Sequence, residues 1–300
     1  MNEKFSPNKE THLTPILATV VQEKLLNPQP KSESTDESKV KTQAEKHQPL
    51  LINLICNELS CKPEEIVDLE LQLCDTQPAV LGGVYEEFIF GGRLDNQVGA
   101  YCSIKAIIES AENITDETGI SIAAIYDHEE VGSDSAVGAG SSVTEHILRR
   151  LSSPDTFELA MARSFLMSAD QAHAVHPNYS EKHEEEHRPS MHGGIVLKHN
   201  SNQRYASNSI SASVLRESSK LADVPVQDFM VRNDCPCGST IGPIMSAKLG
   251  LTTVDVGMPQ LSMHSIRETG STVSITQYIK VLASFFKNYT KIRQSFSEFM

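Results

Sequence analysis

Aspartate, glutamate and histidine gather in four short segments whose residue types suit divalent-cation chemistry. These are Arg93-Leu94-Asp95-Asn96, Tyr126-Asp127-His128-Glu129-Glu130-Val131-Gly132-Ser133, Ser168-Ala169-Asp170-Gln171-Ala172-His173 and Met263-His264-Ser265-Ile266-Arg267-Glu268. Carboxylate oxygens combined with imidazole nitrogens favour a zinc-type or manganese-type ion. Two ions about 3.5–4 Å apart need a bridging carboxylate and terminal ligands for each. They also need a carboxylate that is not a ligand, to take a proton from water. The Glu129-Glu130 doublet fits that division, one coordinating while its neighbour stays free. Singly, an Asp or a Glu pair is an ordinary solvated surface feature. The weight comes from position, because the surrounding pattern places these groups where strands stop.

Apolar periodicity supplies those strands. Leu13–Leu26 reads as a helix with Ile16, Val20 and Leu25 on one face, and 28–48 as a polar, flexible loop. Leu50–Leu59 reads as a helix and Glu65–Cys74 as a loosely alternating strand. A regular alternation then begins. Helices are expected over Val98–Ser110 (stripe Tyr101, Ile104, Ile108), Val137–Leu151, Ser207–Leu221, Ile241–Leu249 and Ser274–Asn288. Strands are expected over Ile120–Tyr126, a nearly continuous apolar run that reads as buried, and over Ser164–Ala169, Ile195–Lys198, Val226–Val231 and Thr252–Val256. Strands alternating with helices predict an α/β sandwich with helices on both faces of the sheet. Ligands in such folds sit beyond the carboxyl ends of the strands.

Composition narrows the function classes. The 300 residues are 39% hydrophobic and 22% charged, as in a globular protein with a sizeable core. A net charge of −13 opposes nucleic-acid binding, which needs clustered Lys and Arg. An acidic substrate would need a local cation to overcome that field. No stretch reaches the roughly 18 apolar residues of a membrane span, and Met1–Pro7 has no secretory leader pattern. The six cysteines are irregularly spaced and read as reduced thiols, so a cytoplasmic location is expected. His176, His183, His187 and His192 fall in a polar stretch and read as surface or supporting groups. Gly138-Ala139-Gly140 lacks phosphate-loop spacing.

Longer blocks carry a family resemblance. Asp127-x-Glu129-Glu130-Val131-Gly132-Ser133, Ser168-Ala169-Asp170-x-Ala172-His173-Ala174-Val175-His176-Pro177-Asn178 and Asn233-Asp234-x-Pro236-Cys237-Gly238-Ser239-Thr240-Ile241-Gly242-Pro243 resemble the signature blocks of M18 aspartyl aminopeptidases. Arg204-Tyr205-Ala206, Met263–Glu268 and Asp75-Thr76-Gln77-Pro78-Ala79 extend the likeness over nearly the whole chain. The resemblance implies a zinc-exopeptidase-like α/β sandwich with a mixed central sheet flanked by helices. Residues 85–300 would be the C-terminal part of the catalytic domain. Residues 1–84 would be a partial oligomerisation domain. It also implies zinc-dependent removal of N-terminal Asp or Glu from peptides, two zinc ions per subunit and a homo-oligomer, dodecamer-like in the family.

Carried over by position, Asp95 would bridge the metals and Glu129 would be the general base. Glu130 and His264 would hold one zinc and Asp170 the other. His173, Lys198 and Tyr205 would contact substrate. An ammonium at Lys198 also makes physical sense beside an acidic side chain. The family's first zinc-ligand histidine belongs to a His-x-Asp block that would fall ahead of Met1. His12, the only histidine before residue 47, matches a different segment. One ion is thus expected to have Asp95, Glu130 and His264, and the other only Asp95 and Asp170. A catalytically impaired or dead family member, acting as a binding or oligomer subunit, is the alternative expectation.

Overall fold

Alternation along Thr252–Gly257 sends Val254 and Val256 to one side of a sheet and Thr253 and Asp255 to the other, and all four are buried. A strand covered on both faces must be central. The computed structural model bears this out. It describes residues 6–26, 42–113 and 119–296, and it divides into two units, Met1–Cys74 and Asp75–Met300.

The first unit holds α1 (Val20–Leu26), α2 (Gln43–Lys46) and α3 (Pro49–Leu59). Its small core is Ala44, Ile52 and Cys56, with Cys61, Ile66 and Leu69 against it. The helix expected from Leu13 forms only from Val20. The expected loop 28–48 contains α2, because Thr42 and Glu45 form a reciprocal capping box. The part of that loop from 28 to 41 lies outside the described residues. Glu65–Cys74 forms no strand. Ile66 and Leu69 pack on the helices, Leu71 and Leu73 face solvent, and no ladder partner is present among the described residues.

The second unit holds β1 (Val80–Gly82), β2 (Phe88–Gly91), α4 (Leu94–Ser110), α5 (Val143–Leu151), α6 (Phe157–Arg163), β3 (Phe165–Ala169), β4 (Ala172–His173), β5 (Ile195–His199), α7 (Ser209–Leu221), β6 (Val226–Met230), α8 (Ile241–Leu249), β7 (Thr252–Gly257), β8 (Pro259–Gln260), β9 (Glu268–Ser271) and α9 (Thr272–Ser295). The main sheet has the order β3-β7-β5-β6. β3 runs parallel to β7 and β5 parallel to β6, while β5 and β7 are antiparallel, so the sheet is mixed. A three-stranded antiparallel sheet β1-β2-β9 and a short parallel pair β4-β8 flank the site. β1 belongs to this sheet and so to the second unit.

One face of the main sheet packs on α4, α7 and α9 through Leu197, Val254, Val256, Leu215, Tyr278 and Val281. The other carries Phe157 and Met161 of α6 and Met245 and Leu249 of α8. Helices therefore cover both faces, as the alternation of elements predicts.

Three expectations fail on this unit, for one shared reason. Ile120–Tyr126 forms no strand, and Ile120 is 66% exposed. The Tyr101, Ile104 and Ile108 stripe of α4 faces solvent, while Val98, Cys102 and Ala106 face the core. The helix expected from Val137 starts at Val143, and its apolar stripe of Val143, Ile147 and Leu151 is exposed. Each segment has the apolar pattern of a covered element, yet most of its apolar side chains are exposed, with only Tyr126 and Leu148 packing on the α6 and α8 core. A strand exists only by pairing, so propensity alone leaves Ile120–Tyr126 outside any ladder.

Candidate active site

Asp95 follows β2 and opens α4, where Asp95 and Asn96 depart from helical backbone before the regular turns begin. The Asn96 side-chain amide donates to Ala169 O (2.8 Å), tying this segment to the end of β3. Asp170 is the next residue after β3, and Asp170 N donates to Val256 O of β7 (3.0 Å). Glu129 and Glu130 form a single 3-10 turn with left-handed His128 before it and Gly132 after it. That turn is closed by Ser133 N donating to His128 O (2.8 Å), with Ser133 itself buried. His264 lies in the loop between β8 and β9 and is also left-handed, with φ 63°. Non-glycine residues hold that conformation only when their surroundings impose it.

All eight residues singled out from the sequence line one cavity of about 460 Å³: Asp95, Glu129, Glu130, Asp170, His173, Lys198, Tyr205 and His264. Asp95, Glu130 and His264 offer ligand atoms within 4.8 Å of one another. His264 Nε2 is 3.1 Å from Asp95 Oδ2 and 3.5 Å from Glu130 Oε2. Two carboxylates and an imidazole are a donor set that fits zinc. Among the described residues this is the group brought within reach of a single ion.

Electrostatics supports the fit. Burial first, then the adjoining Asp170 carboxylate and Glu130, push the Asp95 carboxyl up to about 9. For Asp170, burial pushes upward, but the Lys198 ammonium and the hydrogen bond from Asp95 outweigh it and hold it below the ordinary range. The two crowded carboxyl groups thus perturb one another, Asp95 upward and Asp170 downward. Burial, Asp170 and Glu130 also raise Glu129. Such a cluster of acids is what a divalent cation would neutralise.

Lys198 is the largest departure from a simple strand-end picture. It belongs to β5, which runs against β3 and β7, so it enters the site from the opposite direction to Asp170. The strand alternates, and Lys198 shares the face of Val196 that packs with Tyr205 and Phe229. Lys198 is 3% exposed, its Nζ donates to Asp170 Oδ2 (3.3 Å) and lies 5.4 Å from the Tyr205 ring centre. Burial raises the Tyr205 phenol, so it stays protonated at neutral pH. Crowding around the His173 ring and the Lys198 charge push His173 down to about 4, so it is a neutral imidazole.

Several supporting residues escaped the sequence reading. Asp255 is 0% exposed and accepts from Thr240 Oγ1 (2.5 Å) and Ala206 N (2.6 Å). It joins the loop bearing Tyr205 to the turn before α8. Gln171 Nε2 donates to Gln260 Oε1 (3.2 Å) and Leu94 O (3.4 Å), joining the Asp170, His264 and Asp95 segments. Glu268 accepts from Asp95 N and His264 N. Glu268 stood in a quoted block, but only burial and partners reveal what it touches.

Comparisons with known proteins bear on the family of the chain. The family model described as aminopeptidase I zinc metalloprotease (M18) matches residues 1–286. The chain is 52% identical over 293 residues to the aspartyl aminopeptidase of Caenorhabditis elegans, covering 96% of this chain and 62% of that protein. It is 47% identical to a probable aspartyl aminopeptidase of Ricinus communis, again covering 96% of this chain and 62% of the relative. The chain therefore spans about 62% of the length of these relatives. Among solved structures, Ape4 in complex with Nbr1 superposes with a TM-score of 0.82 at 41% identity, covering 88% of this chain and 52% of that one. The mApe1 dodecamer of S. cerevisiae superposes with a TM-score of 0.76 at 28% identity, covering 85% and 58%. No helix among the described residues is long and apolar enough to cross a membrane. With its mixed sheet, its cluster of acids beside an imidazole and these matches, the chain belongs to the M18 family of zinc metallo-aminopeptidases.

Proposed function

We propose that this chain carries the catalytic machinery of an aspartyl aminopeptidase, removing Asp or Glu from the free N-terminus of peptides. The observation that carries the reading is the convergence of Asp95, Glu130 and His264 with the raised Glu129 and the buried Lys198 in one cavity. Aspartyl aminopeptidase is also the name borne by the C. elegans relative.

Asp95, Glu130 and His264 would hold one zinc ion, and Asp95 with Asp170 a second. When bound, zinc supplies Lewis acidity toward the scissile carbonyl and makes water a better nucleophile near neutral pH. Glu129, a carboxylate whose affinity for protons is raised by burial, accepts the proton from the attacking water and returns it to the leaving amine. Lys198 has three N–H donors, of which Asp170 takes one, leaving others for an acidic side chain. The protonated Tyr205 phenol donates to the developing oxyanion. His173, neutral at pH 7, orients substrate without adding charge. The first unit supplies contacts for a homo-oligomer.

Zinc content, measured together with hydrolysis of an Asp-linked chromogenic substrate, tests the reading on wild type, Glu129→Ala and Lys198→Ala. Cleavage that falls at least about 100-fold in Glu129→Ala at unchanged zinc content is expected. Lys198→Ala should lose the preference for Asp over Leu substrates. Stoichiometric zinc with no cleavage would favour a catalytically dead subunit. Unchanged selectivity in Lys198→Ala would sink the acidic specificity.

A further inference from the structure

Two candidate ligands of the site come from segments far apart in sequence, and one buried carboxylate meets the backbone of both. Glu268 is the first residue of β9, pairs in register with Gly91 of β2, and is 2% exposed. Its Oε2 accepts from Asp95 N (2.8 Å) and its Oε1 from His264 N (2.8 Å). β2 leads directly into the Asp95 segment, and the His264 loop leads directly into β9. Glu268 therefore stands where the two ligand-bearing segments meet the sheet.

Besides its approaches to Asp95 and Glu130, His264 is held through its loop backbone. Its side chain is 61% exposed, and its backbone is left-handed. The loop is closed at its base by reciprocal bonds between Leu261 and Thr269 (2.9 and 3.0 Å) and internally by Ser265 N to Ser262 O (3.0 Å). Without the Glu268 contact, the His264 amide has no acceptor among the bonds described. A buried carboxylate is an expensive way to cap two amides, because ionised groups pay heavily for desolvation. Among the described residues no ion pair involves Glu268, and its neighbour Arg267 is engaged with Asp75. A structural cap needs no charge, whereas a carboxylate makes short, charge-assisted bonds that fix both amides rigidly.

We infer that Glu268 is the positioning residue of this metal centre, a clamp that sets the Asp95–His264 separation through their backbone amides. The inference rests on the metal reading above. Outer residues that orient metal ligands typically contribute about 10- to 100-fold in metal affinity.

Glu268→Gln tests it, since the variant keeps size and leaves one oxygen, while its NH2 meets the second amide donor to donor. Two quantities are read on the full chain: amide hydrogen exchange at Asp95 and His264 in metal-free protein, and zinc affinity by competition with a chromogenic chelator. Both amides should be protected in wild type. In the variant at least one should lose protection, and zinc should bind about 10- to 100-fold more weakly. Glu268→Asp, one methylene shorter, should lose protection at both.

Wild-type amides that exchange as freely as those of exposed loops would overturn the inference, and so would a folded Glu268→Gln with wild-type zinc affinity. Loss of cooperative folding in both variants would also overturn it, assigning Glu268 to the core. If wild type binds no zinc, the metal reading fails separately, and the exchange arm alone still decides whether the clamp exists.

Discussion

Lys198 Nζ lies 3.3 Å from Asp170 Oδ2 although the two residues come from strands that are not neighbours in the sheet and enter the site from opposite directions. The Lys198 ammonium helps hold Asp170 below the ordinary carboxylate range, while burial and the Asp170 carboxylate push Asp95 up to about 9. Removing one member of a buried pair strands the other. Lys198→Met should therefore destabilise metal-free protein by roughly 2 kcal/mol, below the usual range for deeply buried pairs because Asp170 retains some solvent. Asp170→Asn should relieve most of that loss. Urea unfolding of both singles and the double gives the coupling, and a coupling near zero would show that the pair is incidental.

The raised Asp95 carboxyl makes stability depend on pH. Its folded pKa, about 9, lies above the ordinary carboxylate value, so the folded state holds a proton that the unfolded state has released. That contribution is full below the unfolded pKa and is lost as pH rises through the folded one. Metal-free protein should thus weaken between pH 5 and pH 9, with a slope on the order of 1 kcal/mol per pH unit. Asp95→Asn should flatten the slope and be more stable than wild type at pH 8. Unfolding curves in chelator at pH 6 and pH 8 decide the matter, and a steeper slope in the variant would contradict it.

Asp255 should behave as an anchor of the substrate side of the cavity. Asp255→Ala leaves the Thr240 hydroxyl and the Ala206 amide without their acceptor, each worth about 1–3 kcal/mol when buried. A loss of roughly 3 kcal/mol is expected on chemical denaturation. Asp255→Asn should lose much less, since its amide can accept from one group and donate to the Thr240 oxygen. Equal losses in the two variants would refute the hydrogen-bond account.

Two apolar positions with similar sequence signals should respond oppositely. Leu197, fully buried between the sheet and the helices, should lose about 2–5 kcal/mol on substitution by Ala. Ile122→Ala, in an equally apolar run that faces solvent, should change stability by no more than about 0.5 kcal/mol. The exposed run also predicts binding of a hydrophobic dye by the folded chain, reduced in Ile122→Lys. Strong destabilisation at Ile122 would place that run in the core after all.

The one-dimensional pattern determined a great deal. Four strands of the main sheet and α3, α7, α8 and α9 could be read from periodicity, because each is long or strongly apolar and is covered in the fold. The site acids and His264 were legible from their chemistry in short segments, although only Asp170 directly follows a strand and Glu129-Glu130 follow a segment that forms none. The quoted blocks then gave the residues their order. Tertiary structure decided the rest. Whether Ile120–Tyr126 is a strand depends on a partner, which propensity cannot supply. Which stripe of α4 is buried depends on what packs there, so Cys102 and Ala106 rather than Ile104 and Ile108 meet the core. Lys198 reads in sequence like a surface lysine at a strand end, and only the reversed direction of β5 turns it inward onto Asp170. Asp255 carries no sequence signal beyond its type, and Glu268 none beyond its place in the Met263–Glu268 block. Their importance lies in being buried with donors from distant segments, because burial removes the water that would otherwise satisfy those donors.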